Sequence, residues 1–68
     1  MTHILVNGER RPFAGGSVAD LVAALGMPAD RPGVAIARNG EVVRRAQWPT
    51  TLLADGDAVE VVTARGGG

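Results

Sequence analysis

Two Asn-Gly pairs, Asn7-Gly8 and Asn39-Gly40, each sit between β-rich runs and constrain this chain more than any other feature. A two-residue hairpin wants positive φ at both central positions, which Asn and Gly tolerate best. His3-Ile4-Leu5-Val6 is therefore expected to turn at Asn7-Gly8 into a return strand from about Glu9 to Phe13. That strand carries Pro12, which cannot donate to a ladder and so belongs at a sheet edge. The second pair predicts a hairpin from Val34–Arg38 into Glu41–Arg44. In its first strand Val34 and Ile36 share one face, and the small Ala35 and Ala37 share the other.

Between the hairpins lies a helix with clear punctuation. Ser17 followed three residues later by Asp20 spells a capping box, with Asp20 complementing the positive helix end. Val18, Leu21, Val22 and Leu25 make one apolar stripe at helical spacing. Gly26 offers a left-handed stop, Met27 can fold back on the last turn, and Pro28 forbids continuation. The spacing predicts a helix over 18–25. After the second hairpin, Gln47-Trp48-Pro49 leaves the sheet edge, and Thr50 to Leu53 reads as an irregular or 3₁₀ turn whose leucines close the core. Asp55-Gly56-Asp57 reads as a tight turn, and Ala58 to Ala64 as the last strand.

Hairpin, helix, hairpin and lone strand assemble most simply as a helix packed on one face of a mixed sheet of about five strands, an α+β domain. The first and last strands are the most apolar, which suits central positions and parallel pairing in a β-grasp arrangement. With that pairing the C-terminus is expected to leave the sheet at the end away from the first hairpin turn. At 68 residues the chain is near the lower limit for a domain without staples, and it has no Cys to supply a disulfide or a thiolate ligand. Seven Arg balance seven acidic residues, so Arg10-Arg11 and Arg44-Arg45 do not amount to a nucleic-acid footprint. No Lys is present, so no side-chain amine can accept an isopeptide bond. The start, Met1-Thr2-His3, enters a strand at once without a signal-peptide pattern, and no apolar run nears the ~20 residues that span a membrane. A soluble cytoplasmic chain is the expectation.

Few residues offer chemistry. His3 lies on a strand without a Ser or Asp placed to complete a triad. Ser17 is a cap. Asp55-Gly56-Asp57 lacks the later ligands of a calcium loop, and Gly15-Gly16 lacks the Lys of a phosphate loop. Trp48 suits either an interface anchor or a wedge under a loop. No catalytic residue and no metal site are expected. What remains is the end, Gly66-Gly67-Gly68. It is either a frayed tail or a thin tip able to thread a narrow channel and present the α-carboxylate of Gly68. The chain reads as residues 1–65 forming the domain and residues 66–68 forming a tail.

Several stretches together resemble the thiamine-biosynthesis sulfur carrier (ThiS) family. They are Ile4-Leu5-Val6-Asn7-Gly8-Glu9, Ser17-Val18-Ala19-Asp20-Leu21-Val22, Ala35-Ile36-Ala37-Arg38-Asn39-Gly40-Glu41-Val42-Val43, Trp48, and Asp55-Gly56-Asp57-Ala58-Val59-Glu60-Val61-Val62. The likeness runs from the first strand to the glycines. It implies a ubiquitin-like β-grasp fold and a protein co-substrate that is not itself an enzyme. A ubiquitin-activating-like adenylyltransferase would use MgATP to adenylylate Gly68, and the chain would bind no cofactor of its own. A persulfide donor would then leave a thiocarboxylate, whose sulfur thiazole synthase would take. Gly66 and Gly67 would thread the partner's active site; the family end is normally a Gly-Gly pair, so Gly66 lengthens it. Arg65 either pairs with a partner's acid or stays solvated. Alternation along the last strand puts Val62 outward near Leu5, Ala35 and Ala37, a shallow apolar patch for docking. Other readings are a carrier for tRNA thiolation, molybdopterin or cysteine synthesis, a non-covalent β-grasp adaptor, and a modifier joined to target lysines.

Overall fold

The computed structural model describes residues 2–27 and 33–63. Strands β1 (His3–Val6) and β2 (Glu9–Pro12) precede a short strand β3 (Gly16–Ser17) and helix α1 (Val18–Ala24). Strands β4 (Val34–Arg38) and β5 (Glu41–Val43) follow, then a 3₁₀ helix over Arg45–Thr50, a short strand β6 (Leu52–Leu53) and the last strand β7 (Ala58–Thr63). Five strands form one sheet in the order β2-β1-β7-β4-β5, and β3 and β6 pair separately. β1 and β7 run parallel, and every other neighbouring pair is antiparallel.

Both hairpins form at the Asn-Gly pairs, with φ of 51° at Asn7 and Asn39 and of 84° and 86° at the glycines that follow. Pro12 lies on the outer strand β2, where its missing N–H interrupts no ladder. The capping box is complete: Ser17 Oγ accepts from the Asp20 amide at 3.2 Å, and Asp20 Oδ2 accepts from the Ser17 amide at 2.9 Å. Gly16 makes room for it. At φ 125° a side chain there would be strained, and a Cβ would collide with the Asp20 carboxylate. At the other end the Gly26 amide bonds the Ala23 carbonyl and the Met27 amide reaches back to Val22, a Schellman stop.

A seven-residue helix has little stability of its own, so packing must hold it. Val18, Leu21 and Val22 are buried against Ile4, Val6, Ile36, Val43 and Val59 of the sheet, with Phe13, Trp48 and Leu53 closing the ends. The topology is that of a ubiquitin-like β-grasp.

Two expectations need correction. The 3₁₀ turn comes earlier than residues 50–53 because Trp48 is a core residue: it is buried, and its indole N–H donates to the Val43 carbonyl at 3.0 Å. The chain must wrap around it over Arg45–Thr50, which leaves Leu52–Leu53 extended and paired with β3. Neighbours on a strand point to opposite sides, so Leu53 is buried while Leu52 is exposed. Trp48 thus takes the wedge role. The second correction concerns the exit of the chain. Parallel strands run the same way, so β7 ends beside the first hairpin turn, with Val61 bonded to Asn7, and not at the opposite end.

Asp57 ties the last turn to the second hairpin. Its carboxylate accepts from the Ala54 amide at 2.8 Å, from Arg38 Nε at 3.0 Å and from Asn39 Nδ2 at 3.1 Å. Burial pushes this carboxyl up, but the hydrogen bonds from Ala54, Asn39 and Arg38 and the Arg38 charge outweigh it, so its pKa falls below the ordinary 3.8. A depressed folded-state pKa means that the unfolded chain binds the proton first as pH drops. The stabilisation is therefore complete above the unfolded value and is lost as pH falls through the folded one. Replacing Asp57→Asn is expected to cost about 1.5–3 kcal/mol at neutral pH, the scale for hydrogen bonds to a charged group. Urea unfolding followed from neutral pH into the acid range should then show a flatter acid limb for the variant than for the parent.

Candidate functional site

The last strand organises the site. In β7, Val59 is buried and Val61 half-buried on the helix side, while Glu60 and Val62 are exposed on the other. Residues paired across antiparallel strands share a face, and the register sets Ala35 against Val62, and Ala37 against both Glu60 and Val42. Leu5 stands opposite Ala58 on one side and Arg10 on the other. The face turned away from α1 therefore gathers Val62 and Val42, 58% and 77% exposed, around the small Ala35 and Ala37. Leu5 shares this face but stands beside Ala58, four residues before Val62 along β7, and is not the neighbour of Val62 that alternation alone suggests. Glu60 lies among them, with Arg10 at the edge.

Sequence reasoning found Leu5, Val62, Ala35 and Ala37 on this face and missed Val42. The signal was present, because a two-residue turn at Asn39-Gly40 dictates that Ala37 faces Val42. Arg65, Gly66, Gly67 and Gly68 lie outside the described residues, as does the proposed boundary between domain and tail. Thr63, at the end of β7, is the last described residue before them.

The remaining candidates have structural partners. The His3 amide donates to Asp55 Oδ1 at 2.8 Å, and its carbonyl accepts from the Gly56 amide at 2.7 Å, so the Asp-Gly-Asp turn is stitched to β1. Both Asp57 oxygens are engaged in the network around Arg38 and Asn39. The guanidinium of Arg45 stacks on the Trp48 ring, 4.7 Å from its centroid, which spreads positive charge over an otherwise apolar wedge. Among the described residues, no three His, Asp or Glu side chains gather in a group that could hold a metal ion. None of the helices described is long and apolar enough to cross a membrane.

Comparison with known proteins is consistent with this geometry. The ThiS family model matches residues 4–68. The sulfur carrier protein ThiS of Thermus thermophilus is 35% identical over 65 residues, covering 96% of this chain and 98% of that protein. A thiazole synthase of Paramagnetospirillum magneticum is 36% identical over 66 residues, which are 96% of this chain but only 20% of that protein. This chain thus spans about a fifth of that relative's length. The crystal structure of the thiamine biosynthesis protein ThiS from Geobacter metallireducens matches with a TM-score of 0.81 at 34% identity, over 98% of this chain and 100% of that one. The solution structure of a thiamine biosynthesis protein from the same organism gives 0.80 at 34% identity, over 98% and 88%. With the β-grasp fold, the glycine end and a family match along nearly its whole length, the chain belongs to the ThiS family, the sulfur carriers of thiamine biosynthesis.

Proposed function

We propose that this chain works as a protein co-substrate whose reactive group is the α-carboxylate of Gly68. The observation that carries the reading is that the family match runs through to Gly68 itself, five residues on in sequence from Thr63, where the strand at the centre of the sheet ends. A carboxylate, ionised at neutral pH, is a poor electrophile until it gains a leaving group. In the proposed sequence a ubiquitin-activating-like adenylyltransferase binds the carrier and MgATP. A Gly68 oxygen attacks the α-phosphorus, pyrophosphate departs, and an acyl-adenylate forms. A persulfide then attacks the acyl carbon and expels AMP. A second thiol cleaves the resulting S–S bond, itself becoming a disulfide, and leaves the thiocarboxylate. Thiazole synthase takes that sulfur. The thiazole synthase relative, in which a stretch like this chain is part of a much longer protein, supports that last partnership.

In this reading the chain supplies no acid, base or cofactor of its own. Gly66 and Gly67 pass through the partner's channel because nothing branches from their Cα atoms. Arg65 meets an acidic residue of the adenylating enzyme, and the open face around Leu5 and Val62 supplies the apolar contact. ATP-dependent loading places the work in the cytoplasm.

With the cognate adenylating enzyme, the intact chain should support ATP–pyrophosphate exchange, and removal of Gly67 and Gly68 should abolish it while leaving the circular dichroism spectrum unchanged. Protein from the native host should gain the mass difference between sulfur and oxygen at its C-terminus; a chain that keeps its calculated mass under every sulfur supply would remove the carrier reading. Offering the thiocarboxylate to thiazole synthase and to a tRNA-thiolating enzyme separates the two pathways. Val62→Asp is expected to raise the carrier's KM in adenylation about tenfold, the scale of one lost apolar side-chain contact, without loss of fold because Val62 is exposed. An unchanged KM would deny the patch a docking role.

A further inference from the structure

Asn7 does more than its turn requires. β1 pairs with β7 only at Leu5 with Ala58 and Val6 with Val59, because the chain then reverses at Asn7-Gly8. β7 continues to Thr63, and its other side stays paired with β4 to the end, Val34 opposite Thr63. Past Val59 the β1 side of β7 would therefore be a bare edge. The Asn7 backbone amide donates to the Val59 carbonyl at 2.9 Å, which ends the backbone ladder. Its side chain then adds one more rung. Oδ1 accepts from the Val61 amide at 2.8 Å, and Nδ2 donates to the Val61 carbonyl at 3.1 Å. A carboxamide is needed for both bonds at this reach. Asp offers only an acceptor and Gly offers neither, although both fit the turn.

The second turn makes a related contact at the opposite end of the same strand, with only the carboxamide oxygen on β7 and Nδ2 donating to Asp57 instead. Asn39 Oδ1 accepts from the Ala58 amide at 2.9 Å, and the Asn39 backbone amide donates to the Ala58 carbonyl at 2.7 Å. One asparagine clasps the start of β7 and the other clasps its end. Only the Asn7 clasp lies at the end of β7 that leads into the tail.

We propose that the Asn7 carboxamide is a positioning residue for the terminal carboxylate: by clasping Val61, it sets the point where the chain stops being held from both sides. Val61 precedes Gly68 by seven positions (68 − 61). Loosening that root enlarges the space the tip must search without touching the docking face. Loss of aim at constant docking lowers kcat and spares KM. This inference rests on the adenylation reading above.

The test compares Asn7→Gly, Asn7→Asp and Asn39→Gly by amide hydrogen exchange and by adenylation kinetics with the cognate enzyme. Glycine adopts the left-handed turn freely, so Asn7→Gly deletes the clasp and keeps the hairpin. The Val61 amide should then exchange at least about tenfold faster while the amides of Leu21 and Ile36 keep their rates. The kcat should fall roughly five- to tenfold at unchanged KM. Asn7→Asp, which keeps one acceptor, should fall between this variant and the parent. Asn39→Gly loosens the strand away from the tail and should leave kcat at the parent value. Parent-like kcat in Asn7→Gly with a fast-exchanging Val61 overturns the proposal, as does an equal drop in kcat for Asn7→Gly and Asn39→Gly, which would mark a structural effect alone. If the parent chain is not adenylated at all, the adenylation reading fails and takes the positioning role with it; the Val61 exchange rate reports separately whether the clasp exists in solution.

Discussion

The insertion of β7 between β1 and β4 makes one domain out of two hairpins. Neither hairpin is stable in water by itself, since an isolated two-stranded unit is marginal at best. The hairpins share no strand pairing with each other; each pairs with β7, one in parallel and one antiparallel. Val59, almost wholly buried, anchors this strand in the core beneath the helix, and the half-buried Val61 packs against the same core. The last strand in sequence thus completes the fold, and its pairing with β1 joins residues more than fifty positions apart. Closing so long a loop costs entropy before any contact offsets it, so the native sheet forms cooperatively with the burial of α1.

This dependence explains which parts of the fold are legible in the sequence. The Asn-Gly turns, the Ser17–Asp20 box and the Gly26 stop are local: each is decided within about four residues, and each stands where residue chemistry places it. The 3₁₀ segment and the β3–β6 pair were not legible, because both follow from where Trp48 buries its indole. That depends on the Val43 carbonyl and on the space left under the sheet, which no local pattern encodes. The direction of the chain's exit follows from the parallel pairing itself: β7 runs with β1 and so ends beside the first turn. The clasping roles of Asn7 and Asn39 leave only a faint trace, the choice of Asn over Asp or Gly in both turns, because their partners are supplied by a strand distant in sequence.

The two faces of β7 divide the demands on this small chain. Val59 and Val61 face the helix and hold the domain together. Glu60 and Val62 face outward among small residues, where nothing in the domain needs them. Alanine at 35 and 37 is a poor strand former compared with valine or isoleucine. Its place opposite Glu60 and Val62 keeps the open face shallow, so that another surface can come close to the backbone. Under the proposed docking role, a substitution on this face weighs on association, while one on the opposite face weighs on folding.

The same geometry bounds any partner that uses both the open face and the tail. Val62 is six residues from Gly68 (68 − 62), and a fully extended chain advances at most about 3.3–3.6 Å per residue, so the terminal carboxylate lies within roughly 20 Å of Val62. An adenylating enzyme that covers Val62 must hold the α-phosphorus of its ATP inside that radius. The bound tightens because β7 is paired with β4 as far as Thr63, which leaves five residues to turn and thread. A longer tail would relax the radius but dilute the carboxylate at the active site, since effective concentration falls as a tether lengthens past the span it must cover. On the proposed adenylation, holding β7 from both sides as far as Val61 and ending the sequence in residues without a Cβ would meet both requirements: a fixed origin for the tether, and a tip thin enough to reach the phosphorus.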